Sequence, residues 1–324
     1  MKAEFHESLD ALFCSQAPAI PNAGEDSFCC LREENSAIVA VFDGCGGLGS
    51  RRYPGFQDHT GAWVASRLAC GAVHDWYRGH DTEAWDGPRE LTASLNRYLL
   101  AGLEKGPAYG NNQLRIRGAM VRDFPSTLAM ALARYEGEEM ALYVVWAGDS
   151  RVYLLDSLGL AQLTADDSEV QDAFENLTND GELTNVLSSD GSYELHCKRL
   201  TLKEPTLVFA STDGCFGYIP SPMEFEYTLC RSIMQVRSVK DLRDKLREEF
   251  SKTAGDDFAL SCMSFFAGSY RGIRQLAETR AEHLEKNYIG PLEQDRAGAE
   301  SLWEMYRRDY ERYLWEGAEV TKWK

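Results

Sequence analysis

Apolar residues in this chain occur in short runs that are bounded by turn residues, which is the pattern of β-strands. The predicted strands are residues 27–31, 37–42, 126–133, 140–147, 152–155, 195–200, 206–210 and 258–266, with weaker alternation over residues 5–16. A turn as short as residues 136–139 can join only antiparallel neighbours. The pattern therefore predicts antiparallel sheets, with a first strand pair inside residues 1–36.

Helical spacing of apolar residues replaces the strand pattern in three places, namely residues 60–76, 89–102 and 239–250. The first two helices could pair and cover one face of a sheet. Strand runs with helices inserted between hairpins predict an α+β sandwich rather than a doubly wound fold. The polar stretch at residues 104–123 predicts a loop or an irregular helix, and the one at residues 166–193 predicts a flap or short helices.

The composition changes after Gly268, which divides the chain into a domain over residues 1–267 and a helical C-terminal extension over residues 268–324. The extension shows no strand pattern, and helices are predicted near residues 273–287 and 300–315. On the second of these helices an apolar and aromatic stripe follows one face and comprises Leu302, Met305, Tyr306, Tyr310, Tyr313 and Leu314. The stripe either forms a partner surface on the helix from Glu300 to Trp315 or packs on the domain itself, as amphipathic faces commonly do.

The 324 residues carry a net charge of −17 and include 44% hydrophobic residues, a composition typical of a globular protein. The acidic balance argues against nucleic acid or an anionic membrane as a partner, and no apolar run approaches the ~18 residues of a membrane helix. A signal peptide is not expected, because residues 1–8 lack an apolar core. Nine cysteines without a CxxC pair predict reduced thiols and a cytoplasmic protein, and make a zinc site an unfavourable interpretation.

Carboxylates stand where several predicted strands begin or end. Asp43 ends the 37–42 run and enters a glycine-rich turn, Asp213 follows the 206–210 run, and Asp256 precedes the last run. Three more acidic residues have similar positions: Glu25, Asp26 and Asp149. An oxygen-only cluster selects Mg²⁺ or Mn²⁺ over zinc, and acids that share one site cannot all ionise without a cation. Two such ions about 3.5–4 Å apart polarise a phosphoryl oxygen and activate water.

Seven short motifs occur in one order along the chain. Residues 24–26 read GED, residues 41–47 VFDGCGG, residues 126–129 STLA, residues 147–151 AGDSR, residues 161–166 AQLTAD, residues 210–214 ASTDG and residues 255–257 GDD. This series resembles the motifs of the metal-dependent serine/threonine protein phosphatases of the PPM (type-2C) family, over roughly residues 20–267. The resemblance implies an antiparallel β-sandwich flanked by helix pairs, with a dinuclear Mn/Mg centre at one end.

The resemblance also implies a role for each acid. Asp43, Asp213 and Asp256 would bind the two Mn²⁺ or Mg²⁺ ions directly, and Gly44 would contribute its carbonyl oxygen. Glu25 and Asp26 would hold metal-bound waters or one metal, and Asp149 with Asp213 would bind a third, weaker ion. Asp257 stands where the family usually has Asn. The implied activity is hydrolysis of phosphoserine and phosphothreonine on a phosphorylated protein substrate by metal-activated water, without a covalent intermediate.

Cys45 is the first departure from the family pattern, because the motif has His there as a candidate general acid. A thiol, with a pKa of about 8.5, can donate a proton but matches the task less well. His59, on the predicted helix after the glycine-rich loop, is another candidate donor, although a helix-capping or surface histidine is the favoured interpretation.

The second departure concerns the arginine that commonly precedes the first acidic motif and binds the substrate phosphate. No Arg occurs in residues 18–24. Arg51, Arg52 or Arg32 would then supply the guanidinium, which binds phosphate bidentately, although a solvated surface charge is the favoured interpretation of each one singly.

These departures leave two hypotheses open. The first is an active phosphatase, supported by the presence of Asp43, Asp213 and Asp256. The second is a catalytically weak or inactive phosphatase-like module that binds or regulates a phosphoprotein, with the aromatic C-terminal helix as its partner surface. A purely scaffolding role has little support, because so many acids and glycines lie at strand ends.

Overall fold

The computed structural model describes residues 5–21, 23–79, 85, 87–109, 124–136, 138–177, 181–315, 317 and 319–322. The strands are β1 (Leu9–Ala17), β2 (Ser27–Arg32), β3 (Ser36–Phe42), β4 (Arg52–Tyr53), β5 (His59–Thr60), β6 (Leu128–Glu136), β7 (Glu139–Ala147), β8 (Arg151–Asp156), β9 (Gly159–Gln162), β10 (Glu194–Leu202), β11 (Thr206–Ser211), β12 (Phe258–Phe265) and β13 (Glu319–Lys322). One sheet has the order β1-β12-β11-β8-β9, the second has the order β13-β10-β7-β6-β3-β2, and β4 pairs with β5 alone. Every pairing of these strands is antiparallel, as the short turns predict.

The two large sheets stack face to face, and strand periodicity shows how. In β3, Val39 and Val41 belong to the core between the sheets, whereas Ile38 and Phe42 belong to the core beneath the helices. All seven residues of β3 are buried, because both faces of the strand are covered. The predicted α+β sandwich is therefore confirmed.

Helices cover both outer faces. They are α1 (Phe5–Ser8), α2 (Gly61–Gly79), α3 (Pro88–Leu103), α4 (Lys105–Tyr109), α5 (Asp213–Phe216), α6 (Pro222–Gln235), α7 (Val239–Thr253), α8 (Tyr270–Leu284), α9 (Gly290–Gln294) and α10 (Ala299–Tyr310). The pair α2 and α3 packs on the six-stranded sheet, while α6, α7, α8 and α10 pack on the five-stranded sheet. Within the described ranges, no helix is both long and apolar enough to cross a membrane.

Three sequence predictions need correction. β1 and β2 are strands but do not pair, because β1 joins β12 in one sheet and β2 joins β3 in the other. The helix α6 was not predicted, although Ser221 caps it and accepts a hydrogen bond from the backbone N–H of Glu224 at 3.2 Å, a spacing that marks a helix start. The extension contains a strand, β13, which pairs with β10. Most of the predicted loop at residues 104–123 lies outside the described residues.

The C-terminal extension contributes to the domain core rather than standing apart from it. Ile273, Leu284, Trp303, Tyr306 and Tyr310 join the core cluster that contains the outer face of the five-stranded sheet. The second predicted helix ends at Tyr310, not at residue 315. The aromatic stripe therefore packs on the domain itself, and most of the proposed partner surface is not available to a partner. The exposed apolar side chains there are Met305 and Trp315.

Candidate metal centre

The acidic residues predicted from the sequence come together at one end of the sandwich. Neighbouring strands run antiparallel, so the end of one strand lies beside the start of the next. The pairing of β2 with β3 places Asp26 beside Asp43. The pairing of β11 with β8 and β12 brings the turns that carry Asp149, Asp213 and Asp256 to the same end.

The STLA motif holds Asp43 in place through its backbone. The Asp43 N–H donates to Thr127 Oγ1 at 3.0 Å, and the Thr127 N–H donates back to the Asp43 carbonyl at 2.8 Å. The Ser126 hydroxyl donates to the same carbonyl at 2.8 Å. Thr127 Oγ1 also lies 2.6 Å from Ser150 Oγ, which connects this motif to the turn after β7. At Gly44 a Cβ atom would lie 2.6 Å from the Ala62 carbonyl oxygen, so only glycine fits.

The first acidic motif is held by groups from three other elements. The Thr60 hydroxyl donates to the Glu25 carboxylate, and the Glu25 N–H donates to Asp257 Oδ2 at 2.6 Å. Asp26 is buried and accepts a hydrogen bond from Thr212 Oγ1 at 2.7 Å. These contacts join the loop before β2 to the ends of β11 and β12.

Asp257, where the family usually has Asn, positions the loop that precedes the first acidic motif. Its Oδ1 accepts the Ala19 N–H at 2.7 Å, while its own N–H donates to Asp256 Oδ1 at 2.7 Å. Close packing fixes this segment against Asp213, because a Cβ on Gly214 would lie 1.9 Å from the Asp257 carbonyl oxygen. A larger residue at position 214 would force the backbone to move.

The buried acids repel one another. Burial raises the pKa of Asp43 well above its usual range, and the charges of Asp26, Asp213, Asp149 and Asp256 raise it further. Burial likewise raises the pKa of Asp26 and of Asp149, and in both cases Asp213 adds to the increase. These acids therefore interact electrostatically as one cluster.

The carboxylate oxygens of this cluster suit a hard divalent cation. Asp149 Oδ1 is buried and has no hydrogen-bond partner, which costs free energy unless a donor or a cation reaches it. The described residues contain no three His, Cys, Asp or Glu side chains that already stand in a chelating arrangement. Thr60 and Thr212 hold the Glu25 and Asp26 carboxylates by hydrogen bonds. The carboxylates therefore converge with the right chemistry, and binding an ion would require side chains to rearrange.

A family model supplies the identification. The model of the protein phosphatase 2C family matches residues 22–251 of the 324. The chain belongs to the protein phosphatase 2C family. No curated protein sequence matches the chain significantly.

Solved structures of phosphatases share this fold at low sequence identity. The serine/threonine phosphatase PstP/Ppp of Mycobacterium tuberculosis is 18% identical, with a TM-score of 0.54, over 80% of this chain and 99% of that chain. Stp1 of Staphylococcus aureus is 16% identical, with a TM-score of 0.56, over 82% of this chain and 99% of that chain. The PstP catalytic domain in complex with two manganese ions is 18% identical, with a TM-score of 0.52, over 80% and 99% of the two chains.

Cys45 differs from the protein phosphatase 2C motif in chemistry as well as in shape. Its side chain is buried, and its Sγ lies 3.9 Å from the Asp43 carbonyl oxygen. Burial raises the pKa of the Cys45 thiol well above its usual range, and Asp43, Asp149 and Asp213 raise it further. A thiol in this setting stays protonated and releases its proton less readily than an imidazolium would.

Two clefts open beside the acids of this phosphatase fold. The larger, of about 300 Å³, is lined by Asp26, Asp257, His59, Trp63 and Arg67 among others. The smaller, of about 220 Å³, is lined by Asp149, Arg151, Asp166, Asn176 and Asp213 among others.

The predicted phosphate-binding arginines lie elsewhere. Arg51 and Arg52 are exposed in the loop after the glycine-rich turn, where Arg52 donates to the Asp58 carbonyl at 2.8 Å, and neither lines these two clefts. Arg32 is exposed at the end of β2, the end away from Asp26.

Arg67 is the functional candidate that sequence reasoning missed. From α2 it donates to the carbonyl oxygens of Gly24 at 2.8 Å and Glu25 at 2.6 Å, and its guanidinium lies over the Trp63 ring at 4.4 Å. The i, i+4 spacing of Trp63 and Arg67 on a predicted helix was the available signal. His59 stacks on the same Trp63 ring at 3.7 Å.

Proposed function

We propose that this protein is a Mn²⁺- or Mg²⁺-dependent phosphatase that hydrolyses phosphoserine and phosphothreonine on proteins. The observation that supports it most is the convergence of Asp26, which is buried, with Asp43, Asp149 and Asp213, which are half-buried, into one cluster of repelling carboxylates. A folded protein retains such repulsion where a cation or a function offsets it. Membership of the protein phosphatase 2C family and the manganese complex of PstP agree with this function.

We assign the metal ligands as the motif comparison implies. Asp43, Asp213 and Asp256 would bind two ions directly, with the Gly44 carbonyl oxygen beside Asp43. Glu25 and Asp26 would hold metal-bound waters or one metal, and Asp149 with Asp213 would hold a third ion. When bound, such ions supply positive charge to the phosphoryl oxygens and lower the pKa of water. The protein positions that charge through the backbone hydrogen bonds around Asp43 described above, so little reorganisation accompanies the reaction.

The group that would donate a proton to the departing serine or threonine oxygen is the least favourable feature of the site. Cys45 has the position of the family His, but a buried thiol donates a proton less readily than an imidazolium does. We therefore expect slow turnover, with a leaving group of low pKa, such as p-nitrophenol, hydrolysed faster than a phosphothreonine peptide.

The direct test is metal-dependent hydrolysis of p-nitrophenyl phosphate and of a phosphothreonine peptide. We expect activity with Mn²⁺ that is abolished by chelation, and Asp213→Asn to lower kcat by at least about 100-fold, because it removes a charge that binds the ions. Asp244→Asn is the matched control: it removes a surface carboxylate paired with Arg243, outside the site, and should leave kcat unchanged. Activity that survives Asp213→Asn, or that is absent with every divalent metal, contradicts the proposal.

The second candidate is a phosphatase-like binding module, favoured by the buried Cys45. Thermal unfolding separates the two functions without turnover. A ligand that binds only the folded state raises Tm, and the increase grows with the logarithm of the ligand concentration above its Kd. An active metal site predicts that millimolar Mn²⁺ raises Tm and that Asp213→Asn abolishes the increase, whereas a metal-free module predicts no change in either protein.

We propose further that Arg67, in place of Arg51 or Arg52, binds the substrate phosphate. Arg67→Lys keeps the charge but loses the planar fork, so KM for p-nitrophenyl phosphate and the inhibition constant of inorganic phosphate should both increase about tenfold. Arg51→Lys and Arg52→Lys are the controls and should stay within about twofold. Since Arg67 also holds the Gly24 and Glu25 carbonyls, the assay is repeated at high Mn²⁺. Recovery there would mean that Arg67 only supports the metal ligands, and a larger effect at Arg51 or Arg52 would assign phosphate binding to that residue.

The cellular setting is also a proposal. All nine cysteines are free, which agrees with a reducing compartment such as the cytoplasm. A phosphorylated protein is the expected partner, and the substrate's identity would be found by trapping on the Asp213→Asn variant.

A further inference from the structure

The helix α10 of the C-terminal extension contacts the chain that follows β9, residues 163–177, which we call the flap segment. Trp303 Nε1 donates to Asp172 Oδ2 at 3.2 Å, and Arg307 forms an ion pair with the same oxygen at 2.8 Å. The Phe174 ring stacks on Trp303 with centroids 6.1 Å apart. Three contacts of different kinds therefore join one turn of α10 to one short stretch of the flap segment.

Asp172 connects these contacts to the next turn of the chain. While Oδ2 faces α10, Oδ1 accepts the backbone N–H groups of Phe174 at 2.9 Å and Glu175 at 3.0 Å. These bonds start the helical turn Glu175–Leu177. A change in the position of Asp172 would move this turn.

The same turn forms a wall of the smaller acidic cleft. Asn176 and Leu177 line it together with Asp149 and Asp213. Asn176 Nδ2 donates to Asp166 Oδ2 at 3.0 Å, which attaches the turn to the floor of the cleft.

A second, buried series of hydrogen bonds connects α10 to Asp166 at the floor of the cleft. The Tyr310 hydroxyl donates to Gln162 Oε1 at 2.9 Å, and Gln162 Nε2 donates to Asp166 Oδ1 at 3.1 Å. Asp166 also forms a buried ion pair with Arg151 at 2.6 Å, and Arg151 lines the cleft. The wall and the floor of the cleft are thus both connected to α10. This helix lies outside the residues 22–251 that the family model matches.

We propose that α10 is a positioning element for substrate binding: Trp303 and Arg307, acting through Asp172, hold the flap segment against the acidic cleft and set the affinity for a phosphopeptide. The catalytic part of this inference rests on the proposed phosphatase function. A phosphopeptide extends beyond its phosphate and so contacts the cleft wall, whereas p-nitrophenyl phosphate does not reach it. Trp303 and Arg307 touch no reacting atom, so their effect should appear in KM for the peptide rather than in kcat for the small substrate.

The test compares Arg307→Met and Trp303→Phe with Arg296→Met. The control removes an exposed arginine of the same extension that pairs with Glu224 on α6, away from the flap segment. Each of the two test variants should raise KM for a phosphothreonine peptide about fivefold and keep kcat for p-nitrophenyl phosphate within about twofold. Amide hydrogen exchange in residues 171–177 should become about fivefold faster, and the control should change neither value.

A double-mutant cycle tests the route through Asp172. Asp172→Asn keeps an oxygen for the Phe174 and Glu175 N–H groups but loses the charge that pairs with Arg307. The double variant Asp172→Asn with Arg307→Met should therefore be no worse than either single variant. Additive effects would overturn the assignment of Asp172 as the connecting residue.

Two results overturn the inference itself: unchanged hydrogen exchange in Arg307→Met and Trp303→Phe, or faster exchange with an unchanged KM for the peptide. Should the wild-type protein be inactive with every metal, the proposed catalysis fails but this inference remains testable. Fluorescence anisotropy of a labelled phosphothreonine peptide then gives the affinity directly, and equal affinity of the wild-type, test and control proteins would contradict the role of α10.

Discussion

A chain that ends at Gly268 will fail to give a soluble, cooperatively folded protein. It loses Ile273, Leu284, Trp303, Tyr306 and Tyr310, which are buried in the core on the outer face of the five-stranded sheet. Burial of a large apolar side chain contributes about 1.5–3 kcal/mol, so this loss alone is comparable to the 5–15 kcal/mol that stabilises a whole domain. Soluble yield and the thermal transition followed by circular dichroism measure the result.

A chain that ends at Trp315 is the control for this truncation. It keeps α8, α9, α10 and every buried aromatic residue named above but loses β13. We expect its thermal transition to stay cooperative and close to that of the full chain, while its soluble yield also reflects the uncovered edge of β10. A folded protein ending at Gly268, with a cooperative transition near that of the full chain, would show that the extension is an independent appendage. The boundary between residues 1–267 and 268–324 would then be a domain boundary.

Arg280→Met is the single substitution from which we expect the largest loss of stability. Glu226 of α6 is completely buried and accepts hydrogen bonds from Arg280 Nε at 2.9 Å and from the Tyr306 hydroxyl at 2.7 Å. Removing the arginine leaves a buried carboxylate with one neutral donor, and breaking a buried pair in this way costs about 3–5 kcal/mol. Urea denaturation at neutral pH measures the change in the free energy of unfolding.

Two further variants define what the Arg280 result means. Arg296→Met breaks an exposed pair with Glu224 on the same helix and should cost less than about 1 kcal/mol. The double variant Arg280→Met with Glu226→Leu should be more stable than Arg280→Met alone, because no charge remains buried. If Arg280→Met is no less stable than Arg296→Met, the pair does not hold α8 on α6.

The convergence of the acids could be predicted from the sequence because each step is local. A strand run followed by an acid and glycine is visible in the chain at Asp43 and Asp213, and antiparallel neighbours must bring such ends together. The family motifs then indicate that these strand ends lie at one end of the same sandwich. Turn residues and strand periodicity were likewise sufficient to predict the sandwich, and the helical spacing of apolar residues was sufficient to predict α2 and α3.

The missed features depend on which faces of distant elements meet. Arg67 resembles any other helical arginine until α2 is placed beside Gly24 and Glu25. The stripe on α10 has the same periodicity whether it packs on its own domain or binds a partner. The choice becomes clear only when the outer face of the five-stranded sheet is seen to be the surface that it covers. β13 is short and follows a helical stretch, so its pairing with β10 gives no periodic signal.

That pairing has a consequence for solubility. β10 spans nine residues, and with β13 beside it the strand ladder over residues 194–197 is occupied. Unpaired edges of this kind are templates for intermolecular β-pairing. β13 is then the edge strand of this sheet, and its four residues offer a shorter template than the nine of β10. A fusion or affinity tag is therefore better attached at the opposite terminus.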